Sequence, residues 1–267
     1  MMYERITSHA NPKVKDLIKL GKGRGKDRKE LFIIEGLKEI ELAVESGIEF
    51  QSIFFCREII EEQTFIHITE RVNSRNIFEI TSGIFARIAY RETTGGILMV
   101  AHARYRSLDQ IKLNKNPLVL ILESVEKPGN LGGIIRTADA AAVDAVILCD
   151  PLTDLYNPNI IRSSLGTIFS VQVVACSSDE AIKWLKEQNI RILATDLNTD
   201  YNYHQVDFFD PCAIVMGTEH DGISNKWLSV AEQKIKIPML GKIDSLNVST
   251  SAAILAYEAR KQKGYFF

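Results

Sequence analysis

Hydrophobic positions along the chain recur in two different spacings. In the first part, short apolar runs alternate with helical periodicity. "LFIIEG" (31–36) predicts a strand, "LKEIELAVESG" (37–47) a helix closed by Gly47, "QSIFFC" (51–56) another strand and "GGILMVAH" (95–102) a last one. These elements predict a compact α/β unit. The polar, basic stretch "RYRSLDQIKLNKN" (104–116) then suits a connection between domains. Beyond it the apolar runs lose their alternation: "LVLIL" (118–122), "AVILC" (145–149), "SVQVVA" (170–175), "RILATD" (191–196) and "AIVMG" (213–217). Such runs imply strands covered on both faces, as in a parallel sheet flanked by helices. One intervening helix is announced by "SSDEAIKWLKEQN" (177–189), where Ser177 and Glu180 have capping-box spacing. The expected architecture is therefore α/β with two domains: an amino-terminal unit over 1–105, a linker over 106–116 and a carboxy-terminal parallel-sheet domain over 117–267.

Charge sharpens this division. Residues 1–116 carry 19 Lys+Arg against 16 Asp+Glu, a net of +3, whereas 117–267 carry 13 against 18, a net of −5. Most of the positive excess lies in "KVKDLIKLGKGRGKDRK" (13–29), with eight basic residues against Asp16 and Asp27. A solvated surface arm explains such a stretch. So does an anchor for a polyanion, which gains affinity by releasing condensed counterions. Charge alone does not choose between nucleic acid and membrane. The start, "MMYERITSHANPKVKD", lacks the apolar middle of a signal peptide, and no apolar stretch reaches spanning length, so a cytoplasmic protein is expected. Cys56, Cys149, Cys176 and Cys212 have no CxxC spacing and read as small buried hydrophobes in a reducing compartment. His9, His67, His102, His204 and His220 have no metal-ligand spacing, so no metal is expected.

In open parallel α/β sheets, chemistry collects beyond the carboxyl ends of the strands. Three loops there stand out. In "KPGNLGGIIRTAD" (127–139), Asn130 is placed to cap a helix running from Leu131, and a capped helix alone accounts for it. Gly132 and Gly133 add more: each costs roughly 1 kcal/mol relative to alanine in a helix, so something must approach the backbone closely. Arg136 reads as a surface ion pair or as a fixed cation for a phosphate or developing alkoxide. "GTEHDGIS" (217–224) approaches a phosphate loop, but Ile223 stands where the lysine belongs, which argues against a nucleoside triphosphatase. Glu219 in it reads as a solvated carboxylate or as an orienting acceptor. In "IPMLGKIDSLNVSTSAAILAYEARKQ" (237–262), Ser245, Asn247, Ser249, Thr250 and Ser251 crowd the start of one helix. One of them can cap it; others can face a pocket shared with Asn130, Arg136 and Glu219.

Taken in order, "KPGNLGGIIRTADA" (127–140), "IVMGTEHDGIS" (214–224) and "IPMLGKIDSLNVSTSAAILAYE" (237–258) resemble the SpoU (TrmH) branch of the SPOUT class of RNA methyltransferases. The segment 11–47 is similar to the substrate-binding domain that many members carry. The resemblance implies a deep trefoil knot in the carboxy-terminal domain, homodimerisation through it, and S-adenosylmethionine bound among the knotted loops. It further implies methylation of a ribose 2′-hydroxyl in ribosomal or transfer RNA by in-line displacement. Carried over residue by residue, Asn130, Arg136, Glu219, Ser245 and Asn247 match the catalytic positions. Thr195, Gly217, Ile237 and Leu246 match the cofactor contacts, and Lys22, Arg24, Lys26 and Arg28 become candidates for RNA. Departures are Glu126-Lys127-Pro128, where the family often has Asp-Pro, and Ala141-Ala142-Val143, where it often has Phe-Gly before the valine. The alternatives are a non-catalytic RNA-binding protein that keeps the knotted fold and, further off, a phosphate-binding enzyme.

Overall fold

The computed structural model describes residues 3–21, 30–72, 74, 76–89, 95–218 and 221–264. The chain packs as two units, Met1–Arg104 with Tyr156–Ser170, and Tyr105–Leu155 with Val171–Phe267.

The first unit runs β1 (Glu4–Ile6), α1 (Pro12–Gly21), β2 (Leu31–Glu35), α2 (Leu37–Glu45), β3 (Phe50–Phe55), α3 (Glu62–Arg71), β4 (Ile77–Ile80), α4 (Ser82–Ile88) and β5 (Ile97–His102). Its described strands form a mixed sheet in the order β1-β4-β3-β5-β2. The basic stretch 13–29 begins as helix, not as an adaptable arm. Val14 and Leu17 are buried on one face of α1, and Lys13 lies 2.9 Å from Glu4 and 4.5 Å from the Phe78 ring centre. Period-3 burial of two apolar side chains outweighs the lysines, which project to solvent or pair locally. Lys22, Arg24, Lys26 and Arg28 lie outside the described residues.

The second unit begins with β6 (Leu118–Glu123), α5 (Pro128–Ala140) and β7 (Ala145–Cys149). The chain then contributes α6 (Pro158–Ser163) to the first unit, where Tyr156 stacks on Phe32 with ring centres 4.2 Å apart and donates its hydroxyl to the Arg104 carbonyl at 2.5 Å. It continues with β8 (Val173–Cys176), α7 (Ser178–Glu187), β9 (Arg191–Thr195), β10 (Cys212–Met216), α8 (Asn225–Val230), β11 (Gln233–Ile235) and α9 (Val248–Lys263). The strands pair in parallel throughout, in the order β11-β9-β10-β6-β7-β8. Each of the five apolar runs supplies a strand, and the inner ones are buried at every position. The run at 170–175 enters β8 only at Val173. Gln172 stands just before it, its carbonyl accepting from Val146 N at 2.9 Å and its side chain donating to the carbonyls of Lys112 and Asp144 at 2.8 Å each.

Two helix starts separate the local signals. At α7, Ser177 and Glu180 form the reciprocal capping box, with Ser177 N donating to the Glu180 carboxylate at 2.8 Å. At α5, Asn130 is not the cap. The helix starts at Pro128, whose missing N–H and fixed φ suit the first helical position, and Asn130 falls inside the first turn. α9 packs along α5, where Gly133 leaves room for Ser249: a Cβ there would lie 3.3 Å from that of Ser249. The close approach expected at the glycine pair is thus made, at Gly133, by a neighbouring helix. Arg260 of α9 donates to the carbonyls of Ala141 and Ala142 at the end of α5. Buried Lys263 donates to Asn116 Oδ1 at 2.6 Å and to the carbonyls of Asp210 and Phe209 at 2.7 and 3.2 Å.

Cys56, Cys149 and Cys212 are buried, Cys176 is half-buried, and all four are free thiols. Burial pushes the Cys212 thiol up to about 11. No helix among the described residues is long and apolar enough to cross a membrane.

Candidate functional site

From β6 the second unit winds outward through β7 and β8, then returns to place β10 between β9 and β6. That reversal of strand order opens a crevice at the carboxyl ends, the position where ligands bind in open α/β sheets. A cavity of about 380 Å³ lies to one side of it, beyond the carboxyl ends of β9, β10 and β11, within the range of small-molecule sites. Its walls come from the end of β9 (Thr195, Asp196), the loop after β10 (Gly217, Thr218, Asp221, Gly222, Ile223), the segment after β11 (Lys236, Ile237, Met239) and the approach to α9 (Asp244, Ser245, Leu246).

Thr195, Gly217, Ile237 and Leu246, the four positions expected to contact a cofactor, all line this cavity. Thr195 spends its hydroxyl on the Val215 carbonyl at 3.0 Å, which ties the ends of β9 and β10 together. Gly217 is demanded by space. A Cβ there would fall 1.8 Å from the Gly222 carbonyl oxygen and 2.7 Å from Ile223 N. The loop closes on itself through Thr218 N to Gly222 O at 3.0 Å and Gly222 N to Thr218 O at 3.2 Å. Charge at the wall is biased: Asp196, Asp221 and Asp244 face one lysine, Lys236, among the lining residues. Asp196 is partly committed, accepting from Asn198 N at 2.9 Å and lying 3.3 Å from Lys234. An acidic wall favours a cationic ligand.

The crowded start of α9 resolves into separate tasks. Asn247 is the cap, accepting from Ser249 N at 3.0 Å and from the Ser249 hydroxyl at 2.6 Å. Its amide turns outward and donates to Asn130 Oδ1 at 3.1 Å, joining residues 117 positions apart. Ser245 and Ser251 face the cavity, and Thr250 is exposed. The first loop therefore does not wall the cavity; Asn130 reaches its rim through Asn247. Arg136 lies further along α5, exposed, its side chain making no hydrogen bond or ion pair to any described residue. Glu219 lies outside the described residues.

Sequence reasoning missed the carboxylates Asp196, Asp221 and Asp244, although each sits within a few residues of a recognised position. It also missed Glu123. This last residue of β6 is buried and accepts from Ser224 N at 2.7 Å and from the Ser224 hydroxyl at 2.6 Å. Nothing local in "LESVEKPGN" marks it, because its partner lies 101 residues away.

A parallel sheet with a cavity beyond the carboxyl ends of β9, β10 and β11, walled by glycine-bearing loops and acidic side chains, has the form of a small-cofactor enzyme domain. Residues 117–257 match the SpoU rRNA Methylase family, and residues 11–99 match an MRM3-like substrate binding domain. The chain belongs to the SpoU family. It is 30% identical over 257 residues to the 23S rRNA (guanosine(2553)-2′-O)-methyltransferase RlmP of Bacillus subtilis, covering 96% of this chain and 99% of that protein. Among solved structures, an RNA 2′-O ribose methyltransferase superposes with a TM-score of 0.84 at 35% identity, covering 97% of this chain and 98% of the other. An AdoMet-bound rRNA methyltransferase from Sinorhizobium meliloti gives 0.88 at 26% identity, with the same coverage of both chains.

Proposed function

We infer that the chain methylates a ribose 2′-hydroxyl of ribosomal or transfer RNA and that the cavity at the ends of β9, β10 and β11 takes S-adenosylmethionine. The observation that carries this reading is the convergence of Thr195, Gly217, Ile237, Ser245 and Leu246 on one acid-biased cavity whose rim is joined to the first loop by the Asn247–Asn130 bond. The residues present fit the cofactor. The volume suits a nucleoside-sized molecule, and Asp196, Asp221 and Asp244 complement a positive charge. When bound, the cofactor would supply an electrophilic methyl group for a ribose 2′-oxygen.

The chain's own residues divide the remaining work. Ser245 on the wall and the paired amides of Asn130 and Asn247 on the rim orient the sugar against the cofactor loops. Glu219 is assigned to the same network. Arg136 offers a cation that no described residue neutralises. Its guanidinium stays protonated far above neutral pH, so it stabilises an emerging alkoxide or an adjacent phosphate instead of removing the proton. Holding the reacting atoms in line supplies most of the acceleration. Lys22, Arg24, Lys26 and Arg28, within the residues that match the substrate-binding domain, are assigned to the RNA backbone. The domain limits 1–105, 106–116 and 117–267, the trefoil knot and a homodimer through the carboxy-terminal domain belong to the same proposal.

The experiment is a map of 2′-O-methylation across total RNA from cells with and without the gene. The reading expects one or a few riboses to lose their methyl group and to regain it when purified protein and S-adenosylmethionine are added. Identical maps, with no transfer in the purified system, would overturn it.

A further inference from the structure

On either side of residues 219–220, the described parts of the loop that follows β10 are fixed at both ends. At its start, the space around Gly217 admits no side chain, and the Thr218–Gly222 bridge holds the turn closed. At its end, Ser224 stands at the N-cap position of α8, its carbonyl accepting from Trp227 N at 3.1 Å, while its side chain makes no capping bond: both its backbone N–H and its hydroxyl donate to the Glu123 carboxylate. α8 itself is anchored independently. Trp227 is fully buried and donates from Nε1 to the Ser178 hydroxyl at 3.1 Å, while that hydroxyl donates to Asp150 at 2.6 Å. Lys226 lies 2.8 Å from Asp179 on the surface.

A carboxylate with 8% exposure at the end of a central strand is costly unless it is hydrogen-bonded. Among described residues, both side-chain hydrogen bonds that Glu123 accepts come from one serine. That serine directly follows Gly222 and Ile223, which wall the cofactor cavity. A hydrophobic contact could hold α8 on the sheet; two hydrogen bonds with fixed directions, at 2.7 and 2.6 Å, also set where the loop ends. Glu123 stands on β6, and its partner stands beyond β10, so the pair transmits the rigid register of the sheet to the cavity wall.

We propose that Glu123 is a positioning residue for cofactor binding: through Ser224 it fixes the wall formed by residues 221–223. This rests on the reading of the cavity as the S-adenosylmethionine site. Glu123 touches no reacting group, so its effect falls on cofactor affinity and not on the transfer step itself.

The test uses the full-length protein, with S-adenosylmethionine affinity measured by calorimetry and steady-state rates measured separately. In Glu123→Gln the amide oxygen can accept one of the two bonds and the amide nitrogen accepts neither, so the dissociation constant and the KM for the cofactor rise about tenfold. At saturating cofactor kcat stays within about threefold, and the KM for RNA is unchanged. Because a buried substitution can impair folding, exposed Ser224 provides the second arm. Ser224→Ala, which keeps the N–H bond and loses the hydroxyl bond, weakens the cofactor by a smaller factor, and Ser224→Thr, which keeps both donors, restores it. Cofactor affinity unchanged in Glu123→Gln and in Ser224→Ala overturns the proposal, as does a loss shared equally by Ser224→Ala and Ser224→Thr. Wild-type protein that retains no cofactor overturns the reading of the cavity, and the proposal with it; wild-type binding with unaffected variants overturns the proposal alone.

Discussion

Gly217→Ala separates the cavity from the fold more sharply than any other single change. The added methyl group would stand 1.8 Å from the Gly222 carbonyl oxygen, 2.2 Å from its carbon and 2.7 Å from Ile223 N, all backbone atoms with no rotamer to yield. The loop must open, breaking the two Thr218–Gly222 hydrogen bonds at 3.0 and 3.2 Å. At about 0.5–1.5 kcal/mol net apiece, their loss lowers global stability by roughly 1–3 kcal/mol. The sheet beneath is untouched, since β10 ends at Met216 and its ladders to β6 and β9 do not include residue 217. Cofactor binding suffers more, because Gly217, Thr218, Asp221, Gly222 and Ile223 all wall the cavity and must move together. The expected result is a cooperative urea transition displaced by that modest amount, with S-adenosylmethionine affinity reduced at least about a hundredfold, equivalent to about 2.7 kcal/mol. A variant that binds the cofactor within about threefold of wild type would show that the loop is not a wall of its site.

Two further outcomes follow from other parts of the molecule. Arg136→Ala is expected to reduce methyl transfer at least about a hundredfold while calorimetric affinity for the cofactor is essentially kept; equal loss of both would place Arg136 in cofactor binding. The Ser177 hydroxyl and N–H, bonded to the Glu180 carboxylate at 2.6 and 2.8 Å, hold that carboxyl below its ordinary 4.5. A folded-state value below the unfolded one means that this contribution is complete above pH 4.5 and vanishes as pH falls through the folded value. Glu180→Gln should therefore flatten the acid limb of the stability–pH curve, and an unchanged limb would remove the capping box from the account.

Local signals carried much of the fold. The β6, β7, β9 and β10 runs are legible because a strand covered on both faces is apolar along its middle, and the Ser177–Glu180 box is legible because both partners lie within one turn. Where signals compete, the local reading misleads: at α5 Asn130 has the chemistry of a cap, but Pro128, two residues earlier, marks the first helical position. α1 was hidden because its lysines dominate the composition while only Val14 and Leu17 carry its burial. The packing of Tyr156–Ser170 with the first unit depends on Tyr156 meeting Phe32, and Glu123 depends on Ser224. Contacts at that separation leave no periodicity and no local spacing. Asn130 and Asn247 were found by their motifs, but their direct bond, and the fact that the first loop sits at the rim and not in the wall, emerged only from the packing of α9 along α5.

The claim beneath all of this is that one cavity holds the methyl donor beside the asparagine pair. A crystal structure of the protein grown with S-adenosylmethionine tests it directly. The account predicts the cofactor against Thr195, Gly217, Ile237 and Leu246, with its methyl group turned toward Ser245 and the Asn130–Asn247 rim. Density for the cofactor at any other place, or a methyl group facing away from that rim, would contradict it.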